Sequence, residues 1–156
     1  MMMTAMNTIP KQAARRPFIS DESFINWGKA ITKMNPLERI KMIRDGIAVG
    51  RLVEATKYYG ISQFELAKIL GVSNATITRK IRSASNLGPI ESERLARIAL
   101  IETEAEEVFS TPDQAKRWML ESNLVLGEPP FSLLDTDSGA HEVRKLLSSI
   151  AYGGVA

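Results

Sequence analysis

The 156 residues include no cysteine and one histidine, His141. Without cysteine there are no disulfides, thiolate metal sites or thiol nucleophiles, and a single histidine excludes multi-histidine metal centres. No run of about 18 apolar residues occurs, so no membrane-spanning helix is expected. Residues 1–16 lack the apolar centre of a secretory signal. We therefore expect a soluble cytoplasmic protein that needs no metal and no cofactor.

Recognisable catalytic arrangements are absent as well. The sequence contains no nucleophile–base pair and no phosphate-binding loop. His141 has no nucleophile to activate, so we interpret it as a solvated side chain. We interpret an acidic run at residues 102–107 as an exposed helix face, with Glu102 and Glu106 on one side and apolar residues on the other. We predict that the chain is not an enzyme.

Charge is unevenly distributed along the chain, whose net charge is +2. Residues 41–89 carry eight Lys/Arg against three Asp/Glu, a net charge of +5. Residues 90–156, called the acidic half below, carry six Lys/Arg against twelve Asp/Glu, a net charge of −6. A basic middle followed by an acidic end suggests two partners of opposite charge, one of them a polyanion. An ordinary soluble surface with uneven charge explains the same numbers equally well.

Almost every segment has the features of a helix. Apolar residues recur at three- and four-residue spacing, with Ser, Thr, Asn or Pro at the predicted helix starts and Gly after several ends. No segment shows sustained alternation of apolar and polar residues. The sequence predicts an all-α fold with helices at residues 20–34, 36–45, 49–58, 62–70, 73–82, 90–109, 112–120 and 136–150.

Three regions are expected along the chain. Residues 1–19 form a flexible N-terminal arm, residues 20–89 hold the N-terminal helices and a DNA-binding domain, and residues 90–156 form a second helical domain. Apolar side chains between residues 24 and 34 are too numerous for a tail, so this segment packs on the rest of the chain or on a second copy. They are Phe24, Trp27, Ile31 and Met34.

The strongest internal signal lies in the middle of the basic segment. Ser62 and Glu65 form a predicted capping box, and Ser73 caps a second helix. Gly71 between them can take the left-handed backbone conformation that a tight turn needs. Ala67 is small where two crossing helices would meet. This spacing predicts a helix-turn-helix.

The exposed face of the second helix of this motif suits DNA recognition. Arg and Asn make paired hydrogen bonds with guanine and adenine edges, and polar side chains at helix starts contact phosphate. A structural helical hairpin with a solvated polar face is the alternative. The predicted DNA-binding residues are Ser62, Gln63, Ser73, Asn74, Ala75, Thr78, Arg79 and Arg82. Because helix-turn-helix proteins usually read two half-sites about 34 Å apart, a homodimer is expected.

The motif resembles the Xre-type helix-turn-helix of the Cro and phage-repressor family. Lys80 departs from it, because an apolar residue is usual there, and Ile81 is the candidate to fill that role. The chain after residue 90 resembles the toxin-binding domain of Xre/MbcA/ParS antitoxins, with Met119 and Ser110 as mild departures. The motifs that carry this second resemblance include Glu93-Arg94-Leu95-Ala96-Arg97, Ala105-Glu-Glu-Val-Phe109, Ala115-Lys-Arg-Trp118, Leu126-Gly127, Leu133-Leu134-Asp-Thr136 and Tyr152-Gly153.

This resemblance implies a type II antitoxin. Such proteins neutralise a RES-domain toxin that degrades NAD⁺, and they repress their own operon through the helix-turn-helix. In the family the C-terminal segment lies at the entrance of the toxin's active site. The toxin-binding residues that this implies are Ile150, Tyr152, Gly153 and Gly154, with Arg144 and Lys145 as charged candidates nearby.

Other interpretations of the acidic half stay open. Tyr152 is equally consistent with an aromatic that folds back on its own domain, and core positions are favoured for Trp118 and Leu134. A free-standing transcription regulator, whose acidic domain senses a ligand or dimerises, is the alternative function.

Overall fold

The computed structural model describes residues 23–153, which form an all-α fold, as predicted. None of the helices in this part of the chain is long and apolar enough to cross a membrane. The predicted arm at residues 1–19, the predicted helix start at residue 20 and the toxin contact predicted at Gly154 lie outside the described residues. The helices are α1 (Ser23–Thr32), α2 (Pro36–Asp45), α3 (Val49–Tyr59), α4 (Gln63–Leu70), α5 (Asn74–Ser83), α6 (Pro89–Phe109), α7 (Pro112–Leu120), the 3₁₀ helix η1 (Pro130–Asp135) and α8 (Asp137–Ala151).

Local sequence signals account for most helix boundaries. At five helix starts a side-chain oxygen accepts a backbone N–H, which satisfies a donor that has no partner within the helix. Gly60 and Gly71 end α3 and α4 in the left-handed conformation, with φ of 65° and 71°. The capping side chains at the helix starts are Asn35, Ser62, Ser73, Thr111 and Thr136.

Helix α6 is the centre of the fold. Its side chains Leu95, Ile98 and Ile101 are fully buried. Helix α1 lies against it, and the aromatic side chains of Phe24 and Trp27 are buried in the same core. The prediction that this segment packs on the rest of the chain is therefore confirmed.

Buried side chains from the basic half and the acidic half form one continuous cluster. Tyr59, at the end of α3, packs its ring against Phe131 of η1 with ring centroids 4.8 Å apart. Helix α6 itself begins at Pro89 and contacts elements on both sides of the predicted boundary. The domain boundary near residue 90 stays a prediction, and the two halves share a core across it.

The close approach of α1 to α6 depends on Gly28. A Cβ atom there would lie 2.6 Å from Thr103 Oγ1 and 2.8 Å from the carbonyl oxygen of Ala99. The two helices would have to separate, so Gly28→Ala is expected to lower the free energy of unfolding by about 1–3 kcal/mol. Urea unfolding followed by circular dichroism measures this change.

Gly50 in α3 provides the matched control, because a Cβ atom there meets nothing within 4 Å. Gly50→Ala is expected to raise the free energy of unfolding by about 0.5–1 kcal/mol, since alanine restricts the unfolded chain and favours helix. Equal effects of the two substitutions would contradict the importance of the α1–α6 contact.

Candidate functional sites

Helices α4 and α5 pack as the sequence predicted for a helix-turn-helix. Leu66, Ala67 and Leu70 of α4 and Ile77 of α5 are buried with almost no exposed surface. The turn between the helices is left-handed at Gly71. This packing turns the opposite face of α5 outward.

All eight predicted DNA-binding residues are exposed. Two of them, Ser62 and Ser73, use their hydroxyl oxygens to cap α4 and α5, so they shape the helix starts. Five others have polar side chains that make no hydrogen bond or ion pair with the described residues. These free side chains, available to a ligand, belong to Gln63, Asn74, Thr78, Arg79 and Arg82.

Lys80 holds the loop that follows α5. Its ammonium group donates a 2.9 Å hydrogen bond to the carbonyl oxygen of Asn86. The neighbouring Ile81 is partly buried and packs on the core, so it supplies the apolar contact that Lys80 does not. A charged residue is therefore compatible with the motif at this position.

The tail of α8 projects an aromatic side chain into solvent. Helix α8 ends at Ala151, and 92% of the Tyr152 surface is exposed. Tyr152 therefore does not fold back on its own domain. Ile150, two residues earlier, is partly buried, and Gly153 takes a positive φ of 83°.

The two basic residues nominated near the tail are engaged in ion pairs. Arg144 Nε lies 3.1 Å from a carboxylate oxygen of Glu104 on α6, and Lys145 Nζ lies 2.9 Å from Glu142. Both pairs are on the surface, where each contributes at most about 1 kcal/mol to stability. Because each of these basic side chains is paired with a carboxylate, they do not make the surface beside Tyr152 positively charged.

Other residues of the acidic half are structural. Leu134 is fully buried, as predicted, and Trp118 is partly buried with its ring centroid 5.4 Å from that of Phe109. Arg97 bridges α6 and η1, since it donates to the Leu134 carbonyl oxygen at 3.1 Å and pairs with Glu93 at 2.8 Å.

The exposed position predicted for Glu102 is wrong. Glu102 is fully buried and accepts hydrogen bonds from the hydroxyl groups of Tyr58 at 2.9 Å and Tyr59 at 2.7 Å. Lys116 Nζ lies 4.5 Å from the centroid of the Tyr58 ring. Burial raises the pKa of Glu102 to about 7, although the two tyrosine hydrogen bonds act in the opposite direction. We name these three residues, Glu102, Tyr58 and Tyr59, the carboxyl–tyrosine cluster.

The carboxyl–tyrosine cluster joins the two halves of the chain, because its tyrosines end α3 and its carboxyl group lies in the middle of α6. Burial and the nearby carboxylate raise the pKa of both phenols above the ordinary value of 10.0. Within residues 23–153, no group of three or more His, Cys, Asp or Glu side chains could hold a metal ion. His141 is exposed, as expected.

Comparison with known proteins finds a matching family model for each half of the chain. Residues 38–100 match the model of the antitoxin Xre-like helix-turn-helix domain, and residues 104–153 match the antitoxin Xre/MbcA/ParS C-terminal toxin-binding domain. An "Antitoxin Xre" of Pseudomonas putida is 33% identical over 112 residues, which cover 71% of this chain and 69% of the relative. An "Antitoxin Xre" of Yersinia enterocolitica is 29% identical over 124 residues, which cover 76% of this chain and 84% of the relative. A "Prs ADP-ribosylating antitoxin" of Sphingobium sp. is 26% identical over 138 residues, covering 82% and 87%.

Proposed function

The chain belongs to the Xre family of antitoxins, and on that premise we propose that its partner is a RES-type toxin that degrades NAD⁺. Membership of the family makes it the antitoxin of a toxin–antitoxin system, with a toxin as its partner. The proposal extends this in two directions. The acidic half occludes the active site of the toxin, and the helix-turn-helix, acting as a homodimer, binds operator DNA to repress the operon of the pair.

The exposure of Tyr152 is the observation that carries the proposed neutralisation. Tyrosine is enriched at protein interfaces and among the residues that contribute most to binding, and the Tyr152 ring is almost fully exposed at the end of α8. A toxin that admits NAD⁺ must accept a negatively charged pyrophosphate, so its entrance is electropositive. The net charge of −6 on residues 90–156 steers the antitoxin toward such an entrance.

Co-expression with the RES-type protein of the neighbouring reading frame tests the proposed partnership. The tagged full-length antitoxin is expected to capture this protein as a stable complex, because residues 104–153 match a toxin-binding domain. The complex should persist at moderate salt. Salt weakens the long-range electrostatic attraction that speeds association, but it has little effect on contacts buried in the interface. Absence of a complex at low salt, with both proteins folded, would contradict the choice of toxin.

Uncommitted polar side chains on α5 support the proposal that the protein binds DNA. If Arg79 reads a guanine, Arg79→Ala is expected to weaken operator binding by about 1–3 kcal/mol and to relax discrimination at one base pair. Gln63→Ala, which removes a phosphate contact at the start of α4, should weaken binding to all sequences alike. Gel shifts over a panel of operator variants measure both effects. Unchanged operator affinity of Arg79→Ala would exclude α5 as the recognition helix.

A further inference from the structure

A small cleft lies between α6 and α8 beside the exposed tail. Its volume is about 260 Å³, and Val108, Leu147 and Ala151 contribute apolar surface to it. Glu104 and Glu107 line it from α6, and Tyr152 lines it from the end of α8. We name it the α6–α8 cleft. It combines an apolar wall, acidic groups and an exposed aromatic ring in a space of side-chain size.

The two carboxylates of the α6–α8 cleft differ in their partners. Glu104 is paired with Arg144, which also lines the cleft. Glu107 is exposed and forms no ion pair with any described residue, since the nearby Lys29 pairs with Glu106. The cleft therefore keeps one uncompensated negative charge in the same cavity as the Tyr152 ring.

We propose that the α6–α8 cleft binds an arginine side chain at the entrance of the toxin, with its guanidinium group paired to Glu107 and stacked on Tyr152. The inference rests on the proposed function, because an entrance that admits a pyrophosphate needs cationic side chains. Once the antitoxin is docked, such a cation faces the only uncompensated carboxylate that lines the described cleft.

Arginine fits the α6–α8 cleft better than lysine does. A planar guanidinium can donate two hydrogen bonds from its edge to a carboxylate while its face stacks on an aromatic ring, whereas an ammonium group has neither the paired donors nor the planar face. The aliphatic stem of arginine would lie along Val108 and Leu147, as long basic side chains do on apolar surfaces. An arginine held in this way no longer attracts the pyrophosphate of NAD⁺, so the contact adds to the occlusion by the tail.

Glu107→Gln in the full-length antitoxin tests this contact. The Kd for the purified RES-type toxin is expected to rise at least tenfold, mainly through faster dissociation, because a guanidinium would lose its paired charge. Glu121→Gln is the matched control, since Glu121 is exposed, also forms no ion pair with the described residues, and lies outside the cleft. Glu121→Gln removes the same charge from the acidic half, so it should lower the association rate slightly and change the Kd by less than twofold.

A double-variant cycle tests whether Glu107 and Tyr152 hold the same group. Tyr152→Leu alone should weaken binding, and the combined variant should weaken it by clearly less than the product of the two separate factors. Equal effects of Glu107→Gln and Glu121→Gln, unchanged Kd values, or fully multiplicative effects would overturn the inference. If the unaltered antitoxin fails to bind the toxin, the proposed function itself is overturned, which separates the two failures.

Discussion

Glu102→Ala is expected to lower the free energy of unfolding by about 3–5 kcal/mol, the largest stability effect of the substitutions considered, because it removes the carboxyl acceptor of two buried phenol groups and opens a cavity. The hydroxyl groups of Tyr58 and Tyr59 both donate to this buried carboxyl group, and the Tyr58 hydroxyl has a further, longer contact of 3.4 Å to the carbonyl oxygen of Pro112. Urea unfolding followed by tryptophan fluorescence measures the change. Glu104→Ala, on the same helix, removes only an exposed ion pair and should change the free energy of unfolding by less than about 1 kcal/mol.

The pH dependence of stability gives a second measurement on the same group. In the folded protein the pKa of Glu102 is raised from 4.5 to about 7, so between these pH values the folded state binds more protons than the unfolded state. Its contribution to stability is therefore complete below pH 4.5 and is lost as the pH rises toward 7, by about 1.4 kcal/mol for each unit of pKa shift.

Glu102→Gln isolates this contribution, because the amide has nearly the same shape and does not titrate. The difference in the free energy of unfolding between the original protein and Glu102→Gln should fall between pH 4.5 and 7 and then level off. A difference that stays constant over this range would mean that Glu102 titrates near its ordinary pKa.

Deleting residues 151–156 is expected to separate binding of the toxin from its inhibition. The deletion removes Tyr152 but leaves the buried faces of α6 and α8 intact, so the complex should still form. On the proposed mechanism the toxin in that complex should keep part of its activity, because the helices would hold the complex together while the tail would no longer fill the entrance. The measurement is NAD⁺ loss at saturating antitoxin.

The variant Tyr152→Phe is the control for this deletion. It keeps the aromatic ring and the full length of the tail, so it should inhibit as well as the unaltered protein. If the deletion variant also inhibits fully at saturation, the tail does not act as a plug, and the helices alone close or distort the site.

Local signals made the helix boundaries predictable. Asn35-Pro36 starts α2, the capping box of Ser62 with Glu65 starts α4, and Gly71 ends α4, all as expected. These signals act within four residues of the chain, so they depend little on the rest of the fold. The same signals made the exposed face of α5 predictable. Ile77 of α5 is buried together with Leu66 and Leu70 of α4, so the opposite face of α5 is exposed.

Glu102 shows where the interpretation of helical spacing failed. Its position agrees with the buried stripe of Leu95, Ile98 and Ala105, which recurs at three- and four-residue spacing, and this periodicity could have indicated burial. The prediction instead puts Glu102 on an exposed side with Glu106, four residues later, and the apolar residues of this segment on the other side. The partners are Tyr58 and Tyr59, more than 40 residues away in sequence, and no local pattern connects them with α6.

Two other features were beyond the reach of sequence patterns. The 3₁₀ helix η1 is too short to show periodicity, and no local pattern predicts the contact of Phe131 with Tyr59, which is distant in sequence. The shared core across the predicted boundary depends on such contacts between distant segments. The exposure of Tyr152 was likewise undecided, because an aromatic at a helix end is compatible with burial and with binding.

The most direct test of the central claim is a time course of NAD⁺ concentration with the purified RES-type toxin, alone and with increasing full-length antitoxin. Neutralisation by a stable complex predicts that NAD⁺ loss stops once the antitoxin reaches the stoichiometry of the complex and resumes when the antitoxin is removed, because the toxin is not chemically changed. An unaltered rate of NAD⁺ loss with the complex fully formed would contradict the claim that this antitoxin occludes an NAD⁺-degrading active site.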